Sequence, residues 1–517
     1  MSTYLIILIV YLAIMIGVGM WGSKNTKNTE DFLIASGKMG LLLVVASLFG
    51  NMISGFTIVG SLGMNYVSSW ADLAFLTGPA AAGYIILGVA FAPRIRKVLA
   101  NTGKFTIPDM FKLRYGKTAA LLAAIMLLLV FLAFAGGQIE AIHTVLVDTL
   151  HISPTFALIA ITACVIFYSF FGGMWSLAYT MVIQAVVIWI GMIVCMVVSL
   201  KAGGDWGTMV AAMPAGHFSP WSYTTVAGGI AFGASLFLAD FPAQDMWQRA
   251  SAAKDAKTAR NAFIIFAFLA LGLGVINFFI GVAGRYLFPN LANSESLFST
   301  IVTTLMHPMV GSIVLAALVS AILSTAAACF LVIAMLITND IYKPYIAPNK
   351  EDKHYLNVNR IVLVLAGVLS LIFVILVPSV IGLLYMACNI MVSALFLPVI
   401  GLFFWKRVNA MGGLLGVLCG GAADLIWVLA GNPGGIADFY IGILASLVGL
   451  LLGTYLGKAP SKEQTEGFFD EIAASGAVPL AEQTDVFFDE KEVQGAPPLV
   501  EQTNPIIDEN EVQEVIQ

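Results

Sequence analysis

The chain has 517 residues, 59% of them hydrophobic and only 11% charged, and its mean hydropathy of +0.92 excludes an ordinary set of water-soluble domains. The formal charge of −5 hides a division, because fourteen of the thirty acidic residues lie between Glu463 and Glu514. The rest of the chain is basic, so the total gives no reason to expect nucleic acid or an acidic substrate as partner.

In chain order, the first apolar run, from Tyr4 to Trp21, has no basic stretch before it and no small-residue cleavage pattern after it, so it is expected to be a retained span. Crossing a hydrocarbon core of about 30 Å takes about 20 apolar residues. Thirteen segments meet this, at approximately 4–22, 41–66, 72–93, 119–148, 154–171, 177–200, 222–246, 262–288, 309–339, 358–377, 380–404, 411–431 and 435–457. They predict an all-α polytopic membrane domain over residues 1–457, with its termini on opposite sides of the bilayer. With the amino terminus outside, the cytoplasmic loops and the tail hold twenty-three of the twenty-five Lys and Arg, Lys201 and Arg285 being the exceptions. This asymmetry predicts a multi-pass inner-membrane protein with a cytoplasmic carboxyl terminus.

Two spans carry signs of a mid-membrane break. The second contains Gly50-Asn51-Met52-Ile53-Ser54-Gly55, and the seventh contains Gly228, Gly229 and Gly233 followed by Asp240-Phe241-Pro242, where proline removes a helical donor. Broken helices within a bilayer normally line a site, since backbone groups there must be satisfied by protein. The two spans are five apart, which predicts a 5+5 inverted repeat with core units at about 41–200 and 222–404. Glycines that merely allow close helix packing are the plainer alternative.

Within the spans, Glu140 and Asp240 are acidic residues in apolar surroundings, where a carboxylate costs on the order of 2.5–3.5 kcal/mol. Glu140 lies three residues from His143 on one helix face, which suits a proton-sensitive pair or a structural contact. Asp240, beside Pro242, either binds solute or orients the break. Asp245 and Arg249 are spaced i to i+4 and form either an inner-gate ion pair or a surface pair worth roughly 0–1 kcal/mol. Ser324 and Thr325 offer adjacent hydroxyls beside three alanines, a donor set for a hard cation, although such hydroxyls commonly bond back to their own helix. No Lys or Arg lies mid-span, so an anionic solute would rely on half-helix N-termini, hydroxyls or bound sodium.

The five cysteines lie in apolar stretches without paired spacing, and no HExxH, GxSxG or Cys/His cluster is present, so neither a membrane enzyme nor a metal framework is expected. No charged ring or polar stripe suggests a channel. In the tail, Glu463-Gln464-Thr465, Glu482-Gln483-Thr484 and Glu501-Gln502-Thr503 recur every nineteen residues. The charge and five prolines of residues 458–517 predict a disordered acidic segment, with a docking motif for a cytoplasmic partner as the alternative.

Several motifs in order resemble the sodium/solute symporter family, which includes proline, pantothenate, sialic acid and sugar symporters. They are Asn28-Thr29-Glu30-Asp31-Phe32-Leu33, Phe171-Gly172-Gly173 with Tyr179-Thr180 and Gln184, Gln244-Asp245 with Gln248-Arg249, Ala321-Ile322-Leu323-Ser324-Thr325, and Asp340-Ile341-Tyr342. The resemblance implies a leucine-transporter-like fold, with a sodium site formed by the carbonyls of Gly50, Ile53 and Ala321 and the hydroxyls of Ser324 and Thr325. It also implies Gln138 as a substrate contact, joined by Ser54 in the interrupted second span. The function it implies is sodium-coupled symport of a small organic solute by alternating access, in a monomer without organic cofactor. Proton coupling through Glu140 and His143, or a sensor without net flux, are the alternatives. Two departures stand out: Met181 replaces an aspartate that many relatives associate with a further sodium path, and Met52 stands where proline transporters have an aspartate. General similarity leans toward pantothenate or another small carboxylate as solute.

Overall fold

The computed structural model describes residues 2–26, 29–150, 152–170, 173–465 and 467–469. Among the described residues the secondary structure is helical, with one isolated parallel bridge between Met39 and Ala253 and no strand. The main helices are α1 (Ser2–Ser23), α2 (Leu41–Met52), α3 (Phe56–Val67), α4 (Ala71–Thr102), α5 (Lys117–Leu150), α6 (Pro154–Phe170), α7 (Met174–Gly203) and α8 (Val226–Ala239). They continue as α9 (Gln244–Ala252), α10 (Ala256–Leu287), α11 (Pro308–Tyr345), α12 (Asp352–Leu376), α13 (Val380–Phe404), α14 (Ala410–Leu429) and α15 (Asp438–Leu456).

Among the described residues, eleven stretches are long and apolar enough to cross a membrane, α8 and α9 together counting as one, and the bent pair α2 and α3 makes twelve. The thirteenth expected span is α6, whose 17 residues reach about 26 Å at ~1.5 Å per residue, short of a full hydrocarbon core. Thirteen is therefore the count only when this shorter helix is included. Outward faces are apolar and exposed, as at Ile9, Phe268 and Ile375, which suits contact with lipid tails.

The centre of the molecule is α11, in which every residue from Val314 to Leu336 is buried. Its small residues, Ala316, Ala317, Ala321 and Ala326 to Ala328, let neighbouring helices approach closely. Outside the helices, Met39 donates its N–H to the Ala252 carbonyl (2.9 Å) and accepts from the Lys254 N–H (2.9 Å), and Arg96 reaches the Ser251 carbonyl at 2.6 Å. These bonds tie the segment entering α2 to the segment leaving α9, the two elements that carry the breaks.

The described residues form one compact unit. The second and third tail repeats lie outside the described residues, as do Asn28, Phe171 and Gly172 of the motifs. The start of the tail, expected to be disordered, is instead packed. Lys462–Thr465 is a short helix, Phe468 is buried, and the Arg114 guanidinium lies over the Phe469 ring at 5.4 Å. Apolar side chains and a cation partner compensate there for the charge that argued for disorder.

Candidate functional site

The first break lies between α2 and α3, whose axes differ by 62°. Ile53 takes an extended conformation (φ −78°, ψ 98°) that ends α2. Two of the N–H groups at the break find side-chain partners: the Gly55 N–H donates to Gln138 Oε1 (3.0 Å), and the Ser54 N–H donates to Thr57 Oγ1 (2.8 Å). The Thr57 hydroxyl in turn donates to the Met52 carbonyl (2.9 Å). Past the break, the first turn of α3 is π-helical, and Asn277 donates to the Thr57 carbonyl it releases (2.8 Å). Glycine is required at two places on sterics alone, since a Cβ on Gly55 would collide with Ala141 and one on Gly50 with Met181.

The second break follows α8. Asp240, Phe241 and Pro242 form a turn, Ala243 is extended (φ −74°, ψ 109°), and α9 begins at Gln244. Trp247 Nε1 donates to the Phe241 carbonyl at 2.8 Å, and the Ile107 N–H donates to Gln244 Oε1 at 2.7 Å. Both breaks border one cavity of about 100 Å³, lined among others by Ser54, Tyr84, Gln138, Asp240, Asp245 and Thr325.

Four of the five residues expected to hold sodium are linked by hydrogen bonds, and one of them, Thr325, lines this cavity. Thr325 donates its hydroxyl to the Gly50 carbonyl of α2 at 3.0 Å and to the Ala321 carbonyl at 3.1 Å, while Ser324 donates to Ala321 at 2.8 Å. Thus Gly50, Ala321, Ser324 and Thr325 share one hydrogen-bonded cluster between α2 and α11. Ile53, in the break, lines the same cavity as Thr325. Met181 packs its side chain against Gly50, so a thioether fills the space beside that glycine.

The substrate candidates divide. Gln138, Asp240 and Ser54 line the cavity; Gln138 is fully buried, and its Nε2 has no hydrogen-bond partner. Glu140 does not line it. It borders a separate recess with His143, Thr144, Asp148 and Asn293, and its carboxylate lies 3.4 Å from His143 Nδ1. Two residues on from Gln138, a helical residue points to a different face, which is why the two separate.

The expected gate pair also differs from its prediction. Asp245 and Arg249 are both buried, and Arg249 donates to the backbone carbonyls of Asp245 (2.8 Å) and Ser47 (3.3 Å) rather than pairing with the Asp245 carboxylate. Asn51 claims that carboxylate instead, donating to Oδ2 at 2.5 Å, and Oδ1 remains unpartnered toward the cavity. Asn51 was not singled out by its sequence, although an amide in an apolar helix is a detectable signal. Asp72 and Asp424 were also missed. They are buried acids held by local hydroxyls, Thr77 Oγ1 to Asp72 Oδ1 at 2.6 Å and Ser393 Oγ to Asp424 Oδ1 at 2.9 Å.

Comparison with known proteins agrees with this architecture. The family model described as "Sodium:solute symporter family" matches residues 32–420. The chain belongs to the sodium:solute symporter family. Among curated relatives, the high-affinity proline transporter PutP of Bacillus subtilis is 24% identical over 477 residues, covering 88% of this chain and 98% of its own. The sodium/glucose cotransporter of Vibrio parahaemolyticus is 28% identical over 459 residues, covering 79% of this chain and 82% of its own. Among solved structures, the substrate-bound outward-open state of a Na+-coupled sialic acid symporter superposes with a TM-score of 0.74 at 20% identity, covering 89% of this chain and 98% of that one. Mhp1, a nucleobase-cation-symport-1 family transporter, gives 0.54 at 13% identity, covering 85% and 99%. These neighbours establish the leucine-transporter fold for this family member, and its relatives are transporters rather than enzymes.

Proposed function

We propose that this family member carries a small organic solute inward with sodium, by alternating access around the cavity between the two breaks. The observation that carries this is the cluster in which the Gly50 and Ala321 carbonyls meet the Ser324 and Thr325 hydroxyls across two helices. With the Ile53 carbonyl, these oxygens would hold one sodium ion, which needs several hard ligands and takes them at least cost from unwound backbone and hydroxyls. Ile53 and Thr325 border both ion cluster and solute cavity, so an ion there favours the arrangement in which the cavity is complete. Met181 against Gly50 supports a single sodium per cycle.

The distribution of Lys and Arg supports an amino terminus outside and a cytoplasmic carboxyl terminus, in the inner membrane. Proton coupling is less favoured, because Glu140 and His143 lie in a recess apart from the cavity. The deciding experiment compares thermal stability of the purified protein in sodium and in potassium at equal ionic strength. Stabilisation specific to sodium supports the site, and equal melts in both ions refute it.

A further inference from the structure

We propose that the transported solute carries a cationic nitrogen, held in the cavity by Asp240 with Asp245 beside it, while Gln138 takes an acceptor atom of the same molecule. This rests on the symport reading above and narrows it to a substrate class.

Two carboxylates line the cavity, and no Lys, Arg or His does. Asp240 Oδ2 and Asp245 Oδ1 are both buried without a hydrogen-bond partner. Their situations differ. Asp245 is partly compensated, since Asn51 donates to its other oxygen and the Arg249 guanidinium sits one turn further along, on the Asp245 carbonyl. Asp240 has no such help. Its Oδ2 is pressed against Gly83 of α4, where any Cβ would collide with it, so the neighbouring helix is shaped to admit the carboxylate but supplies no donor to it. A charged group deep in a membrane costs on the order of 2.5–3.5 kcal/mol, and it persists where a partner arrives to offset that cost.

A proton, a metal ion or an organic cation could each offset it, and the lining selects among them. A hard ion asks for several oxygens, whereas the cavity presents Tyr84 beside Phe266 (centroids 4.8 Å apart) and Phe56 beside Phe134 (5.9 Å). Aromatic faces next to a carboxylate suit an ammonium group with apolar substituents, which they attract through their quadrupoles. A bare anion would meet two carboxylates and no cation, which argues against the small carboxylate suggested by general similarity. Gln138 Nε2, buried and unpartnered, offers a donor, so the solute carries a carbonyl, carboxylate or hydroxyl oxygen besides its nitrogen.

The test uses the full chain in detergent, with melting followed in sodium and in potassium. The probes are glycine, L-proline, glycine betaine and choline as nitrogen cations, D-glucose as a neutral solute and propionate as an anion. At least one nitrogen cation should stabilise the wild type in sodium. That affinity should fall at least about tenfold in Asp240→Asn and be retained in Asp240→Glu. Both variants are checked for a monodisperse peak and a cooperative melt, and the wild-type probe ranking stands without them. A sodium shift accompanied by a response to D-glucose or propionate alone, or to no nitrogen cation, overturns the substrate class and leaves the symport reading intact. Absence of any sodium shift in the wild type overturns the symport reading itself.

Discussion

Thr325 and Gly50 are 275 residues apart in sequence, and the hydroxyl of one donates to the carbonyl of the other at 3.0 Å. This bond joins the central helix α11 to the end of α2, just before the first break. An ion seated among these oxygens would tie the two helices together more firmly than the hydroxyl alone, and removing either partner should loosen ion and solute together.

Ser324→Ala tests the ion cluster with little disturbance, because the residue is fully buried and loses only one oxygen. A ligand that binds only the folded state adds about 2.7 kcal/mol at a hundredfold excess over its Kd. The wild type should show a sodium-specific rise in melting temperature of that order, and the variant should not. A variant that keeps the full sodium shift would remove Ser324 from the site.

Gly50→Ala should destabilise the protein by about 1–3 kcal/mol, since the added Cβ overlaps the Met181 side chain. Met181→Gly, which removes both the Cγ and the Cβ that the new methyl meets, should recover part of that loss in the double variant, giving a coupling energy of roughly 0.5–3 kcal/mol in a double-mutant cycle. Additive effects would mean that the two side chains do not constrain one another.

Gln138→Leu removes the acceptor for the Gly55 N–H, and an unsatisfied buried donor costs about 1–3 kcal/mol. Gln138→Glu keeps an acceptor in place but removes the unpartnered Nε2 donor. Both variants should lose stability, Gln138→Glu because a third carboxylate buried beside Asp240 and Asp245 costs on the order of 2.5–3.5 kcal/mol, and solute affinity should fall in both. Transport assays in proteoliposomes alongside melts separate the two roles.

Phe468→Ala examines the packed start of the tail. The ring is buried, near Phe403 at 6.3 Å, and burying such a side chain contributes about 1.5–3 kcal/mol. The melt should drop by that order in the full chain. An unchanged melt would mean that the segment is not held in solution.

Much of this protein was legible in its sequence because a bilayer is a demanding solvent. Apolar length, the glycine-rich interruption at Gly50 to Gly55 and the proline at Pro242 each signal something that backbone chemistry imposes locally, and the structure has breaks at both places. The sodium candidates Ser324 and Thr325 were legible as hydroxyls, but that Thr325 meets Gly50 depends on how α11 lies against α2. Asp245 and Arg249 read as an ion pair from their spacing alone. Whether they pair depends on Asn51, which comes from another helix and takes the carboxylate first. Likewise Glu140 and Gln138 are two residues apart on α5, and only the packing of its neighbours sends one into the cavity and the other into a separate recess. Sequence thus determined where the chain crosses, breaks and carries polar groups, since those follow from local solvation. Tertiary structure decided which of those groups meet, because side-chain partners in a helical bundle are set by the angles and registers of helices distant in sequence.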